Sequence, residues 1–506
     1  MVPTALPRLQ SATGRWIVLA TILGSAVASL DATVVNVALP EIGRALDSDV
    51  AGLQWILSGY TLTLASFILL GGALGDRLGR RRVFVWGTAG FAVTSLICGV
   101  ANNVETLIVA RIAQGVAGAM LTPGSLALIA ASIDDRDQGA AIGLWSGLGG
   151  VAGAIGPLVG GWLIEIASWR AVFLINLPLA AAVVWVAARH VPESRDPDAP
   201  ARLDLPGAAF VALGLGALTY GLITPSPVAA VAGVVLLGVF VAIEVRSDHP
   251  LVPPSLFASR VFTAANLVTL AAYAALGGVF FLLLLQLQIV AGYSPLSAGV
   301  ATIPITLLML VLSSRAGKWA QEHGPRIPMT VGPLLAAAGV AMMTRIGSTA
   351  DYLTDVLPAV IVFGLGLSAL VAPLTGAVLG SVPTAESGIA SGVNNAVART
   401  AQLLAVAALP GIAGISAAGF DDPIAFDAGF RVAMTICAGL LVLSAALAAL
   451  LLRTGPTARP TEPDSAQLET DAQLETDAQL ETVDCLPHCA VTGPAVQPTS
   501  TRTGAS

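Results

Sequence analysis

The chain has 506 residues, of which 24 are Lys or Arg and 31 are Asp or Glu, so 11% of it is charged, where ordinary soluble domains carry about 25%. With 55% hydrophobic residues and a mean hydropathy of +0.82, it has too few charges to cover a water-exposed surface. The bilayer is the default solvent, and the formal net charge of −7 speaks against a nucleic-acid partner.

A membrane-crossing helix needs about 20 mainly apolar residues. That window predicts fourteen spans in chain order: 16–37, 52–73, 83–101, 107–130, 140–164, 170–188, 206–223, 227–245, 262–290, 296–314, 327–346, 355–380, 388–415 and 430–452. The first carries Arg8 and Arg15 ahead of it and an Ala26-Val27-Ala28 stretch like a signal-peptide cleavage site, but the apolar run continues beyond Ala28, which favours a retained helix. The seventh and eighth are split only by Pro225-Ser226-Pro227 and read as a helical hairpin. The expected organisation is a six-helix bundle over 1–189, an insertion with two extra helices over 190–261, a second six-helix bundle over 262–453, and a tail over 454–506. If the N-terminus lies inside, 18 of the 24 basic residues fall on the cytoplasmic side and four, Arg44, Arg170, Arg345 and Arg431, fall outside. The positive-inside rule therefore predicts that both termini are cytoplasmic.

Several function classes lack their residues. The only lysine, Lys318, follows Gly317 but precedes Trp319, so there is no phosphate-cradling Gly-Lys-Ser/Thr loop. His190, His249, His323 and His488 are scattered, with no metal or nucleophile spacing, which argues against an enzyme and against a metal site. Cys98 and Cys437 sit in apolar blocks, and Cys485, His488 and Cys489 in the tail fall one ligand short of a metal site.

Charges inside spans are costly and by default functional. Asp31 stands in Leu30-Asp31-Ala32-Thr33-Val34-Val35-Asn36, where Thr33 and Asn36 extend a polar stripe. A carboxylate there can exchange a proton or contact substrate, or make a fixed hydrogen bond to a neighbouring helix. Arg111, followed by Gln114 and Gly115 in the fourth span, cannot be neutralised by burial and needs a partner that the sequence does not name. Arg399, near Asn394 in the thirteenth span, poses the same question, with a larger share for a structural role. The fifth span holds glycines four apart, Gly143 with Gly147, Gly149 with Gly153 and Gly156 with Gly160, beside Gly161 and a helix-kinking Pro157. Between spans two and three, Gly72-Ala73-Leu74-Gly75-Asp76-Arg77-Leu78-Gly79-Arg80-Arg81-Arg82 places one acid among four arginines, where ion pairs can latch helix ends. A related stretch, Ser314 to Arg326, recurs after the tenth span and suggests duplication of a six-helix unit.

These motifs resemble those of the major facilitator superfamily and, within it, the 14-helix drug:proton antiporter branch. The similarity spans roughly residues 10 to 453. It rests on the Gly72–Arg82 loop, on Arg111 with Gln114 and Gly115, on Gly156-Pro157 with Gly160-Gly161, and on Leu30-Asp31 through Pro40. Departures are Ala152, where the fifth-helix motif often has glycine, and Gln321 or Glu322 near an expected aspartate. The resemblance implies alternating access, export driven by a proton gradient without a cofactor, proton coupling at Asp31 and Arg111, and a conformational switch at Asp76 with Arg77, Gly79, Arg80 and Arg81. It also implies a monomer in a bacterial cytoplasmic membrane. An importer or uniporter of a nutrient, and a non-transporting sensor, are the alternatives. Few intramembrane acids favour small lipophilic neutral or monocationic substrates over dications, and the near absence of Lys, as in GC-rich bacterial genomes, leaves export of a self-made natural product as a further reading.

The tail repeats Ala-Gln-Leu-Glu-Thr three times between Ser465 and Thr482 and carries eight acids against Arg459 and Arg502, a net of −6 that leaves −1 for residues 1–453. Such composition predicts disorder. A chain lacking residues 460–506 is expected to reach the membrane and transport like the full chain; loss of flux at unchanged surface expression would show that the repeats matter.

Overall fold

The computed structural model describes residues 6–196, 203–247, 250–383, 386–415 and 422–452. The tail with its repeats, Cys485, His488 and Cys489 lies outside the described residues, as do His249 and the surroundings of Gly147 and Gly149 within their helix.

Among the described residues fourteen long helical segments follow one another: α1 Ala12–Leu46, α2 Val50–Leu78, α3 Arg80–Gly99, α4 Val104–Ser132, α5 Asp135–Ile166, α6 Ala171–His190, α7 Leu205–Ile223, α8 Pro227–Arg246, α9 Arg260–Ile289, α10 Pro295–His323, α11 Arg326–Met343, α12 Tyr352–Leu379, α13 Ser387–Ile412 and α14 Pro423–Leu451. Twelve are long and apolar enough to cross a bilayer; among the described residues α13 falls outside that group, and α5 contributes the shorter apolar stretch Val151–Ile166. Several helices outrun their predicted spans. α1, at 35 residues, is about 50 Å long against a hydrocarbon core of about 30 Å.

Local chemistry sets the helix ends. Ser11, Asp49, Asn103, Asp204, Ser259 and Asp422 each accept a backbone N–H of the first turn, satisfying donors that have no intrahelical partner. α6 is broken at Ile175 and α10 at Thr302, just before Ile303-Pro304, while α12 begins with a π-turn over Tyr352–Val356.

The first six helices pack among themselves, with α2 on α4, α1 on α5, and α3 on both α4 and α6. The last six do likewise, with α11 on α12, α10 on α12, and α9 on α13 and α14. The two sets meet along α2–α13, α5–α10 and, more sparingly, α1–α9. α7 seats against α2 and α13, and α8 packs on α7. Val228, Val231, Val234, Val241 and Val245 of α8 are exposed, the surface of a helix facing lipid. Close approach depends on missing side chains. A Cβ at Gly339 of α11 would strike the Phe363 backbone of α12, and one at Gly366 of α12 would strike Ala336 of α11.

The segment before α1 is tied to the α4–α5 turn. Arg8 donates from Nε to Asp137 at 2.6 Å, Leu9 N–H donates to the same carboxylate, and Asp134 N–H donates to the Pro7 carbonyl. The Arg8 hydrogen bond holds the Asp137 carboxyl below its usual range.

Gly339→Val is expected to overpack the α11–α12 contact at a cost of about 1–3 kcal/mol and to lower the unfolding midpoint of the detergent-purified protein. Gly439→Ala, where an added Cβ meets nothing within 4 Å, is the control expected to leave it unchanged.

Candidate functional site

Five helices of the first half converge on one buried ion pair. Arg111 of α4 donates from a terminal guanidinium nitrogen to Asp31 Oδ2 of α1 at 2.6 Å and to Gln114 Oε1 at 2.7 Å, and from Nε to the Ile56 carbonyl of α2 at 3.2 Å. Gln114, one turn further along α4, donates to Asp31 Oδ1 at 3.2 Å and to Ser95 Oγ of α3 at 2.9 Å. Asn176 of α6 donates to the same two oxygens, each at 2.9 Å. The guanidinium lies 4.2 Å from the Tyr60 ring centre and 5.9 Å from that of Phe173, which adds cation–π attraction. Asp31 and Arg111 are 0% and 1% exposed. The partner that the sequence left open for Arg111 is therefore Asp31, 80 positions away.

A cavity of about 1180 Å³ lies between the halves. Of the five residues expected at the coupling site or cavity, Thr33, Asn36 and Arg111 line it. Asp31 and Gln114 do not: they sit behind Arg111, inside the first bundle. Tyr60, Ser58 and Thr61 of α2 complete the polar wall on this side. The opposite wall is mainly Leu, Ile, Met and Phe from α9, α10 and α12, with Arg399, Gln402 and Leu403 of α13. No carboxylate stands among the described lining residues, so the cationic part of the expected substrate range finds no counter-charge there.

The halves close the cavity at one end. Gln54 of α2 donates to the Val406 and Ala407 carbonyls of α13 at 2.7 and 3.0 Å, Gln288 of α9 donates to the Val37 carbonyl of α1 at 3.1 Å, and Leu296 N–H of α10 donates to Glu165 of α5 at 3.2 Å. Toward the other end, the face where the chain enters α1, the wall runs out to exposed Gly143, Ser314, Gly376 and Leu379. The cavity opens there.

The fifth-helix motif serves two neighbours. A Cβ at Gly156 would collide with Thr33 of α1, and one at Gly160 would come within 3.0 Å of Val34. At Gly161 it would come within 2.5 Å of Leu296 on α10, while Gly299 of α10 rests on the Pro157 carbonyl. Gly153 is looser, with Ser29 at 3.7 Å. The motif thus packs α5 on its own bundle and on the opposite one at once.

The Gly72–Arg82 stretch, expected as a loop, is helical except at Gly79, with Gly72 to Leu78 ending α2 and Arg80 to Arg82 opening α3; across that turn Asp76 receives Arg80 Nε at 2.7 Å, while Arg77 is exposed. Gly79 has φ +117°, and a Cβ there would meet the Glu193 carboxylate at 2.6 Å, two separate reasons for glycine. Glu193 accepts the Arg81 N–H at 3.0 Å and lies 3.6 and 3.7 Å from the Arg81 and Arg82 side chains. The strap after α6 also receives Arg80 N–H at the Ser194 carbonyl and returns Asp196 N–H to the Asp76 carbonyl. Gly72 sits 3.7 Å from Pro123 of α4 by the same measure. In the second half, Asn394 joins α13 to α9 by donating to Asn266 and Thr269 at 3.1 and 2.8 Å.

Sequence reasoning missed Asn176, Ser95 and Glu193. Asn176 stood as a lone amide in the sixth span, and Glu193 as an acid just past its end; both signals were present but uncharged or outside a span.

The model of the Major Facilitator Superfamily matches residues 21–406. The chain belongs to this superfamily. It is 35% identical to the puromycin resistance protein of Streptomyces alboniger, over 87% of this chain and 91% of the relative. It is 33% identical to the tetracenomycin C resistance and export protein of Streptomyces glaucescens, over 77% and 74%. The crystal structure of a bacterial homolog of the human lysosomal transporter Spinster, inward-facing and unoccupied, shares the fold at a TM-score of 0.63 and 17% identity, covering 87% of this chain and 97% of that one. This superfamily member is a multi-pass membrane transporter and not an enzyme, with relatives that act in antibiotic resistance and export.

Asp31→Asn and Arg111→Gln are each expected to strand a buried partner at a cost of about 3–5 kcal/mol. The double variant is expected to cost less than their sum, with a coupling of about 0.5–3 kcal/mol. Thermal unfolding of the four purified proteins measures this; additivity would mean that the two charges do not act as a pair.

Proposed function

We propose that this transporter exports small lipophilic compounds, antibiotics among them, in exchange for protons. The observation that carries the reading is the position of Arg111, which belongs at once to the cavity wall and to the sealed Asp31 network. Among the described residues, Asp31 is the acid that reaches the cavity wall through a single side chain, Arg111. Its protonation removes the counter-charge of Arg111, and the guanidinium, which stays charged, must then find other acceptors. Hydrogen bonds from α1, α2, α3, α4 and α6 all end in that network, so a proton there changes how the first bundle packs. Resistance and export in the names of the relatives support the outward direction.

The positive-inside count puts the N-terminus in the cytoplasm of a bacterial cell, which makes the open end of the cavity cytoplasmic and the Gln54, Gln288 and Glu165 contacts external. Each external contact is one or two hydrogen bonds or a glycine-to-backbone seat. Such a closure can part without unfolding either bundle. The transporter needs no cofactor for this cycle and functions as a monomer, both bundles being supplied by one chain.

Inverted membrane vesicles with an imposed proton gradient are expected to accumulate dye or antibiotic, and a protonophore is expected to stop it. Asp31→Asn, normalised to folded protein, is expected to lose gradient-driven uptake at least tenfold. Uptake that survives collapse of the gradient would refute proton coupling, and full activity of Asp31→Asn would remove Asp31 from the mechanism.

A further inference from the structure

Among the described residues the cavity wall is charged at two points, and only one of them is neutralised. Arg111 has Asp31 at 2.6 Å. Arg399, midway along α13 on the opposite wall, has no ion-pair or hydrogen-bond partner among the described residues. Among the described residues no acidic side chain lines the cavity beside it. An arginine cannot discharge itself. While the cavity is open, water can solvate the guanidinium, but when the bundles rock shut around their contents that water must leave, and an unpaired charge in a closed apolar chamber is costly.

We propose that Arg399 is the specificity-determining residue of the cavity and binds the anionic group of an otherwise apolar substrate, so that the exported compounds are lipophilic organic acids. The inference rests on the export reading above and narrows its substrate class. Two features of the wall fit such a molecule. The guanidinium fork matches a carboxylate, or the oxygen of an ionised phenol or enol, through charge-assisted hydrogen bonds, with the Gln402 amide three residues along the helix able to add another. Phe280, Phe281, Leu283, Leu307 and Leu310 offer apolar surface for the rest of the molecule, which a small hydrophilic anion would leave uncovered. Occupation by an acid cancels the one uncompensated charge on the wall and removes the obstacle to closure. A cation adds a second positive charge to a chamber that has no carboxylate to receive it.

The test is binding to the purified full-length protein, independent of any gradient. Acid, methyl ester and amine forms of the same polycyclic aromatic scaffolds are titrated by tryptophan quenching against wild type, Arg399→Lys and Arg399→Gln, each checked as a folded monodisperse sample. Acids are expected to bind more tightly than their esters and amines, with Arg399→Gln weakening the acids about 10- to 100-fold and leaving the esters unchanged, and with Arg399→Lys keeping part of the preference. Absence of a preference for acids, or a preference that persists in Arg399→Gln, would overturn the proposal. Failure of the export reading looks different: an Arg399-dependent preference in binding without gradient-driven flux sinks export alone, and gradient-driven flux of amines indifferent to Arg399 sinks the substrate class alone.

Discussion

A guanidinium that cannot lose its proton, held away from water in the middle of a membrane, has to be answered by an opposite charge and by acceptors for its remaining hydrogens. Arg111 is answered by Asp31, Gln114, the Ile56 carbonyl and the faces of two aromatic rings. Because Asp31 is on α1, Ile56 and Tyr60 on α2, Ser95 on α3, Arg111 and Gln114 on α4 and Asn176 on α6, meeting that demand fixes the mutual placement of five helices. Removing one member leaves the others buried and short of partners, which makes the network cooperative. The first bundle is held as a body from its centre.

Among the described residues nothing comparable joins the two bundles. Between them stand glycine seats such as Gly161 on Leu296 and Gly299 on the Pro157 carbonyl, together with a few amide-to-carbonyl bonds, two from Gln54 and one from Gln288. Contacts between bare backbone surfaces have little side-chain entropy to lose and few specific bonds to break, so they can be made and unmade as units. The difference in chemistry inside and between the bundles is what permits a rigid-body motion around the cavity. Pro157 belongs to this scheme through its carbonyl, which seats Gly299, as much as through any kink.

Much of this was legible in the sequence where the signal was local. Fourteen apolar blocks, the prolines of the α7–α8 turn and the charges misplaced within spans were all readable, because bilayer thickness fixes helix length and makes a buried charge conspicuous. Arg111 and Gln114, three positions apart, share one face of α4, and the guanidinium donates to the amide. What failed was pairing across distance: Asp31 and Arg111 were both singled out, yet nothing local joins residues 80 positions apart. Asn176 was passed over because an amide is far cheaper in a membrane than a charge and so attracts less notice, although it donates to both Asp31 and Ser95. Glu193 shows another limit, since its role depends on a strap folding back over Gly79. Asp31 and Gln114 were expected near the cavity, and only the direction in which α1 and α4 turn their side chains decided that they face away from it.

The overall charge of −7 carried no information about substrate, since nearly all of it belongs to the tail. The charge on the cavity wall is local and of the opposite sign. Arg111 and Arg399 are the same side chain at comparable risk in the membrane, but one is locked to Asp31 and the other faces the cavity without a partner among the described residues. That asymmetry divides the proposed work between the bundles, with the proton handled in the first and the charge of the cargo in the second. It also bears on energetics, because moving one elementary charge across a membrane is worth about 2.3 kcal/mol per 100 mV. A cation leaving in exchange for one proton moves no net charge, whereas an anion leaving in the same exchange carries two charges' worth of current in the direction that an inside-negative potential favours. A cavity built around Arg399 would therefore draw on the electrical part of the gradient as well as the chemical part.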